Sequence, residues 1–510
     1  MAAILLATIN ARYIHASLGL RWLCANLGEL QPEARLLEFC LDDQPADMAE
    51  AILARKPRIV GLGVYIWNAL QTQRLLSVLK QVAPNVLVVL GGPEVSHLPL
   101  RVDFSQADYI IQGEGELSFA RLCQELLKGQ RPGEQIIAAV APELSQLQLP
   151  YQLYTDADIA HRLIYVEASR GCPFGCEFCL SSLDKKVRSF DPALFLAALE
   201  ELWQRGARTF KFVDRSFNIL ERNTLAILDF FLGKEPPFHA HFEVVPDHFS
   251  QAVQERLRRF PAGGLQLEIG IQTLRPDVAA AIGRNLHMKK IRHNLQFLAD
   301  QTSAHLHLDL IIGLPGESAA DFGTGLNQLM GWCQGEIQLG ILKKLSGTAI
   351  NRHDAEHGMI YSSAPPYELL QNALIPFAQM QELKRMARYW DLVYNSGNFR
   401  GTAPLLWPDG DVFRGFLAFS SWLFGQTRST WKIALPRLAE LLYQYLITQK
   451  GADPSEIANN LAQDLLTVKG RVLPPAIRER VTCVPDRPYS LSRPLSRRQD
   501  RHQDKSSCCN

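Results

Sequence analysis

The sequence predicts an α/β architecture in three parts: a doubly wound, Rossmann-like parallel-sheet domain over residues 1–145, a partial (β/α)6 barrel of the TIM type over 158–350, and a helical C-terminal domain over 351–480. Three patterns carry this reading. Continuous apolar runs alternate with amphipathic stretches at the N-terminus, as expected of parallel strands covered by helices on both faces. Strand-helix alternation resumes after a Pro- and Gln-rich passage and repeats six times, too few for an eight-fold barrel. Beyond Asn351 the apolar residues fall at helical spacing.

In chain order, "AILLATI", "RLLEFC", "RIVGLGVY", "NVLVVLGG" and "ADYIIQG" read as strands, with "SLGLRWLCANLGEL" and "ALQTQRLLSVLKQVA" as helices between them. The opening "MAAILLATINARY" lacks a basic n-region and soon meets Arg12, so it reads as a buried first strand and not as a signal peptide. A ligand of such a domain sits beyond the carboxyl ends of the strands. "APELSQLQLPYQLYTDADIAHR" reads as a linker. The barrel strands are "LIYVEAS", "RTFKFVD", "HAHFEVV", "LQLEIGI", "LHLDLIIG" and "IQLGILKKL". Asp191-Pro192 places a helix cap before a first-turn proline, and Arg275-Pro276 is a weaker version of it. In the helical part, "ARYWDLVYNSGNF" sets Tyr389, Trp390, Tyr394 and Asn395 at helical spacing, which reads as core or as a wall over a substrate. Residues 481–510 are polar and basic and read as a disordered tail.

The composition is 47% hydrophobic and 21% charged, with a formal net charge of +1 over 510 residues. That balance gives no electrostatic case for a nucleic-acid or anionic-membrane partner. No apolar run reaches the roughly 18 residues of a spanning helix, so the expected compartment is cytoplasmic. Cys24, Cys40, Cys123, Cys333, Cys483, Cys508 and Cys509 are scattered or at the tail, without a disulfide framework.

The other three cysteines form one motif. Cys172, Cys176 and Cys179 are spaced C-x3-C-x2-C directly after the first barrel strand, at the face where a barrel binds ligands. Gly171, Pro173 and Gly175 keep the loop tight enough for three sulfurs to converge. Thiolates suit zinc, copper(I) or an iron-sulfur cluster. A structural zinc site pairs two short ligand motifs, and no second pair exists here. His161 lies roughly 20–25 Å away along an extended strand, and Cys333 falls in a predicted helix. An iron-sulfur cluster with one iron lacking a protein ligand is the expectation.

With Phe178 at the aromatic position of C-x3-C-x-aromatic-C, the loop resembles the signature of the radical S-adenosylmethionine (radical SAM) superfamily. The resemblance spans about Leu163 to Thr348. It implies a [4Fe-4S] cluster whose open iron is chelated by S-adenosylmethionine, and an electron passed through the cluster to release a 5′-deoxyadenosyl radical. It implies that Phe178 packs near the adenine. "KFVDRSFN", "FEVVP", "EIGIQT", "IGRN" and "LDLIIGLPGES" are similar to the family's strand-end motifs in order and spacing, which offers Asp214, Glu243, Gln272, Arg284 and Asp309 as cofactor contacts. The residue types match what the cofactor needs, with Arg for a carboxylate, a carboxylate for an ammonium, and acids and amides for ribose hydroxyls. A small-molecule substrate and a reductant such as flavodoxin or ferredoxin are the implied partners.

The first domain resembles the cobalamin-binding modules of cobalamin-dependent radical SAM enzymes. "GLGVYIWN", "LGGPEVS" and "IIQGEGE" offer Gly61, Gly63, Gly91, Gly92, Gly113 and Glu114 to a corrin and its nucleotide tail. Cobalamin and methyl transfer to an unactivated carbon follow as expectations. No strand is followed by G-x-G-x-x-G, which argues against a dinucleotide. The D-x-H-x-x-G motif is absent too, since no Asp precedes His15 and Gly19 is misplaced, so no histidine is expected on the lower face of cobalt. The other reading is a domain that has lost cobalamin and only docks on the barrel.

Two competing functions are open to the sequence. His239, His241 and Glu243 alternate on one strand, and His305, His307 and Asp309 on another, so each trio shares a face and suits a metal-dependent hydrolase. A cluster that never cleaves S-adenosylmethionine would make the protein an iron-sulfur sensor.

Overall fold

The computed structural model describes residues 3–285, 287–468 and 470–483. The expected disordered tail therefore lies outside the described residues from position 484 on.

The first domain carries β1 (Ile4–Asn10), α1 (Leu18–Ala25), β2 (Ala34–Cys40), α2 (Pro45–Leu53), β3 (Ile59–Gly63), α3 (Ala69–Val82), β4 (Leu87–Gly91), β5 (Tyr109–Gln112), α4 (Glu116–Leu127) and β6 (Ile136–Ala138). Its sheet is parallel in the order β2-β1-β3-β4-β5-β6. Every residue of β1 is buried. Leu5, Ala7 and Ile9 feed one apolar layer while Ile4 and Leu6 feed the other, as period-two alternation requires of a sheet covered on both faces. The strand order reverses between β1 and β3, which opens a crevice beyond Asn10 and Gly63. The short β6 is an addition to the strands read from sequence.

The passage read as a linker is packed. Tyr151 and Tyr154 are buried, and α5 (Asp156–His161) starts with a capping box in which Thr155 and Asp158 satisfy each other's backbone N–H groups. Asp158 accepts from Arg21 of α1 at 2.8 Å, and Arg162 pairs with Glu38 of β2. The segment is the seam between the two domains.

The barrel comprises β7 (Ile164–Val166), β8 (Ser169–Arg170), β9 (Arg188–Ser189), α6 (Pro192–Gln204), β10 (Thr209–Phe212), α7 (Glu221–Leu232), β11 (His239–Val244), α8 (Gln251–Leu257), β12 (Leu265–Gln272), α9 (Pro276–Ala281), α10 (Met288–Gln301), β13 (His305–Ile312), α11 (Ala319–Met330) and β14 (Glu336–Ile341). Six strands form one parallel sheet in the order β14-β13-β12-β11-β10-β7, so the barrel is partial. The β8/β9 ribbon stands outside it and flanks the cysteine loop. Asp191 caps α6 as expected, accepting from the N–H groups of Ala193 and Leu194. In β12, Leu265, Leu267, Ile269 and Ile271 join the apolar core, while Gln266, Glu268, Gly270 and Gln272 alternate to the other side.

A hairpin of β15 (Ile360–Tyr361) and β16 (Leu369–Gln371) leads into α12 (Phe377–Trp390), α13 (Val412–Thr427), α14 (Leu435–Thr448), α15 (Pro454–Leu466) and α16 (Pro475–Arg478). This part docks on the edge strand β14. Trp390 Nε1–H and Asn395 Nδ2–H both donate to Ile337 C=O at 2.9 Å, and Asn395 Oδ1 accepts from Ile337 N–H at 2.9 Å. The two side chains cover an edge that would otherwise expose unpaired backbone groups. Tyr389, Trp390 and Asn395 are therefore core and edge cover, not a substrate wall. Cys333 is buried just beyond α11, not within a helix.

Candidate active site

The cysteine loop is held open by its own backbone. Gly171 has φ +88°, and a side chain there would run into the carbonyl of Lys186. Cys172 N–H donates to Asp184 C=O at 2.8 Å, and Cys179 N–H to Cys176 C=O at 3.1 Å. Cys176 is buried and the other two are half-buried. Burial pushes the Cys172 thiol up, and repulsion from the Cys179 and Cys176 sulfurs adds to it, so the three interact as one group. A bound metal cluster would reverse that shift by taking the thiolates as ligands.

Arg284, from the turn after α9, reaches the loop: its Nη1 lies 3.3 Å from Cys176 Sγ and its Nη2 donates to Gly270 C=O at 2.7 Å, while its buried Nε has no hydrogen-bond partner. Gln272 ends β12 at φ +71°, where the β12–β13 register slips. Strain of this kind in a non-glycine residue collects at functional sites. Asp309 on β13 faces Glu243 and Glu268. Burial drives its carboxyl well above the carboxylate range, and those two acids add to it. Its buried Oδ1 has no hydrogen-bond partner, with His307 Nε2 standing 3.6 Å away. Glu243 accepts from Arg215 at 2.9 and 3.1 Å. Phe178 is half-buried against the barrel core.

Asp214 sits elsewhere. It accepts from Ala168 N–H at 3.0 Å and from Ser169 Oγ–H at 2.6 Å, and burial pushes it up to about 6. It braces the backbone between β7 and the cysteine loop.

A cavity of about 810 Å³ lies between the domains. Gly61, Gly63, Gly91, Gly92, Gly113 and Glu114 line its first-domain side, and Glu167, Arg170, Lys211, Arg215 and Glu243 line its barrel side. Gly92 is at φ +113°, and a Cβ there would stand 2.5 Å from Val64 C=O, so no larger residue fits. Glu114 has both oxygens on arginines, Arg170 at 2.7 Å and Arg188, which ties the domains together at the cavity rim. Arg170 also holds Glu116 at 2.7 Å and Glu167 at 3.1 Å. Arg215 is 55% exposed although it lies at a strand end inside the fold, because the cavity reaches it.

Three family profiles match the chain: "B12 binding domain" over residues 4–123, "Radical SAM superfamily" over 166–328, and "Protein of unknown function (DUF4080)" over 355–488. The second covers the cysteine loop and the barrel strands from β10 to β13. Residues 166–328 thus resemble the radical SAM superfamily. Similar proteins include the cobalamin-dependent radical SAM methyltransferase TokK of Streptomyces tokunonensis, 26% identical over 56% of this chain and 46% of that one. The 2-(S-pantetheinyl)-carbapenam-3-carboxylate methyltransferase of Streptantibioticus cattleyicolor is 25% identical over 57% and 47%. The chain thus spans about half the length of these curated relatives. Among solved structures, the cobalamin-dependent radical enzyme OxsB with aqua-cobalamin superimposes with a TM-score of 0.61 at 12% identity, over 90% of this chain and 79% of that one. The radical S-adenosylmethionine methyltransferase TsrM of Kitasatospora setae gives 0.58 at 15%, over 74% and 80%. At those identities the two structures establish the shared fold.

The residues present fit the groups that domains of these two kinds take. Three interacting thiols suit an iron-sulfur cluster. Arg284 Nε and Asp309 Oδ1, both buried without a hydrogen bond, suit the carboxylate and hydroxyls of S-adenosylmethionine, and the glycine rim admits a large flat ligand. The histidine strands are committed to the protein. His305 Nε2 meets Glu336 at 2.9 Å, His241 Nε2 meets Glu268 at 2.9 Å, and His307 Nε2 meets Gln338 at 3.2 Å. Burial drives His239 down to about 3. Among the described residues, no three His, Cys, Asp or Glu side chains gather at the spacing of one metal ion.

Several cavity residues escape a reading of the sequence. Lys211, Val213 and Arg215 alternate along "KFVDR", and that period of two is the available signal. His15 lines the cavity with Nδ1 2.7 Å from Tyr165 Oη across the domain boundary, a pairing that no local pattern reveals.

Proposed function

We propose that the protein is a cobalamin-dependent radical SAM enzyme that transfers a methyl group, or performs related radical chemistry, on a small-molecule substrate. One observation carries the reading: a single cavity joins the glycine rim of the B12-type domain to the barrel strand ends beside the cysteine loop. When bound, the [4Fe-4S] cluster and S-adenosylmethionine supply a 5′-deoxyadenosyl radical, and cobalamin supplies a transferable methyl group. Cys172, Cys176 and Cys179 hold the cluster and leave one position open. Arg284 takes the cofactor carboxylate through its free Nε, Glu243 takes the ammonium, and Gln272 and Asp309 take the ribose hydroxyls. Burial and the two acidic neighbours hold the Asp309 carboxyl well above the carboxylate range, which favours the form that can donate a hydrogen bond. Phe178 packs on the adenine. Gly61, Gly63, Gly91, Gly92 and Gly113 form the floor under the corrin, and the Glu114 ion pairs keep that floor over the barrel mouth. The electron comes from a one-electron carrier such as flavodoxin or ferredoxin in a cytoplasmic, reducing compartment. No helix among the described residues is long and apolar enough to cross a membrane.

The test is anaerobic reconstitution of the full chain with iron and sulfide, then assay of S-adenosylmethionine cleavage with and without cobalamin. About four irons per chain, 5′-deoxyadenosine and a corrin absorption band retained through gel filtration are expected. Zinc in place of iron, with activity surviving Cys176→Ala, overturns the reading. An intact cluster that never cleaves the cofactor makes the protein an iron-sulfur sensor, and a missing corrin band reduces the first domain to docking.

A further inference from the structure

Glu177 stands between Cys176 and Phe178, in the middle of the cysteine loop, and is only 8% exposed. A carboxylate buried there is costly unless it is paired and hydrogen-bonded. Its partners come from the turn 349–353, just beyond the last barrel strand. Arg352 Nη2 lies 2.5 Å from Oε1, and His353 Nε2 lies 2.8 Å from Oε2. His353 is 7% exposed. The backbone is gripped as well. Glu177 N–H donates to Ile282 C=O at 3.0 Å, and its C=O accepts from Ile350 N–H at 3.0 Å. Arg352 also donates to Ala281 C=O at 3.1 Å, which closes the group onto the end of α9 and the approach to Arg284.

The same stretch reaches the first domain. Arg101 donates to Lys344 C=O at 2.5 Å and stacks on the Tyr367 ring at 4.3 Å, while Tyr367 Oη–H donates to Glu94, two residues past Gly92. The segment that leads into the helical region thus touches the cysteine loop at one end and the glycine rim's neighbour at the other.

We propose that Glu177, held by Arg352 and His353, is the positioning residue of the cluster loop, and that the turn 349–353 is part of the cluster's scaffold. This rests on the functional reading above. Fixing the N–H, C=O and carboxylate of Glu177 sets the backbone from Cys176 to Cys179, and with it two thiolates and the Phe178 ring. The carboxylate and the Arg352 guanidinium also place opposite charges close to the cluster, and His353 adds a hydrogen bond, where net charge and hydrogen bonding tune the reduction potential. Removing the acid and removing a base should therefore shift that potential in opposite directions, which a purely structural brace would not do.

The experiment is a redox titration of the reconstituted full chain, read by electron paramagnetic resonance of the reduced cluster without S-adenosylmethionine. Glu177→Gln is expected to raise the midpoint and Arg352→Gln to lower it. Each shift should be about a tenfold change in the reduced-to-oxidised ratio at fixed poise, 59 mV for one electron. The double variant is expected to return towards the parent value, with iron content unchanged throughout. Midpoints that stay together, or that all move the same way, overturn the proposal. If Glu177→Gln fails to fold, the exposed Arg352→Gln decides it, since it should lower the midpoint. A parent protein that assembles no cluster defeats the functional reading. Normal cofactor cleavage with unmoved midpoints defeats this inference alone.

Discussion

Replacing Arg284 by alanine tests the cofactor seat at its most charged point. The guanidinium makes two contacts in the protein alone, with Cys176 Sγ at 3.3 Å and Gly270 C=O at 2.7 Å, and keeps its buried Nε free. Loss of the Gly270 bond costs about 1 kcal/mol of local stability. Loss of a charge-assisted bond to the bound carboxylate costs about 1.5–3 kcal/mol more, seen only in binding, which is about 10- to 150-fold in Kd. Arg284→Lys keeps the charge without the fork and should fall between parent and alanine. The assay is calorimetric titration of S-adenosylmethionine into the cluster-loaded protein, with iron per chain measured for each variant. A weakening below about threefold at unchanged iron content, against the order of ten, refutes the assignment. So does lysine behaving as alanine.

Cys176→Ala should leave the chain folded but unable to retain iron, which iron analysis and absorption spectra check. Asp214, raised from 3.8 to about 6 by burial, favours the folded state while protonated; that contribution is present below 3.8 and is lost as pH rises through about 6. Asp214→Asn lacks this dependence, so its stability relative to the parent should worsen by about 1–2 kcal/mol between pH 7.5 and pH 5 in urea unfolding; a pH-independent difference refutes it. Gly92→Ala puts a Cβ against Val64 C=O at the cavity rim and should abolish retention of the corrin absorption band while S-adenosylmethionine binding survives. Glu38→Gln leaves Arg21 and Arg162 short of a charge partner in the domain seam and should destabilise the protein by about 3–5 kcal/mol, measured by thermal unfolding of the apo-protein.

The sequence exposes what is local. Period-two and helical spacings locate the main strands, and the tight Gly/Pro loop makes three cysteines one motif. What it hides is carried by distant pairs. Glu177 finds His353 across 176 positions and Arg170 finds Glu114 across 56, and no spacing rule connects them. The seam from Tyr151 to Arg162 passes for a linker because its polar string disguises two buried tyrosines and an acid whose partner, Arg21, lies 137 residues back. β6, at three residues, is too short to show a period at all.

That seam explains how a cavity can persist between two domains. Interfaces between domains of one chain usually permit relative motion. Here Arg21, Glu38, Asp158 and Arg162 form a buried ionic group between β2, α1 and α5, and Arg170 gathers Glu114, Glu116 and Glu167 at the cavity rim. Buried pairs add little net stability over well-packed apolar side chains, but separating one strands an uncompensated charge. A small slide of the first domain would break several at once. The penalty for misplacement is therefore steep even where the gain from correct placement is modest. That asymmetry would suit the proposed reaction between two large cofactors, which calls for a fixed distance from the glycine rim to the cysteine loop.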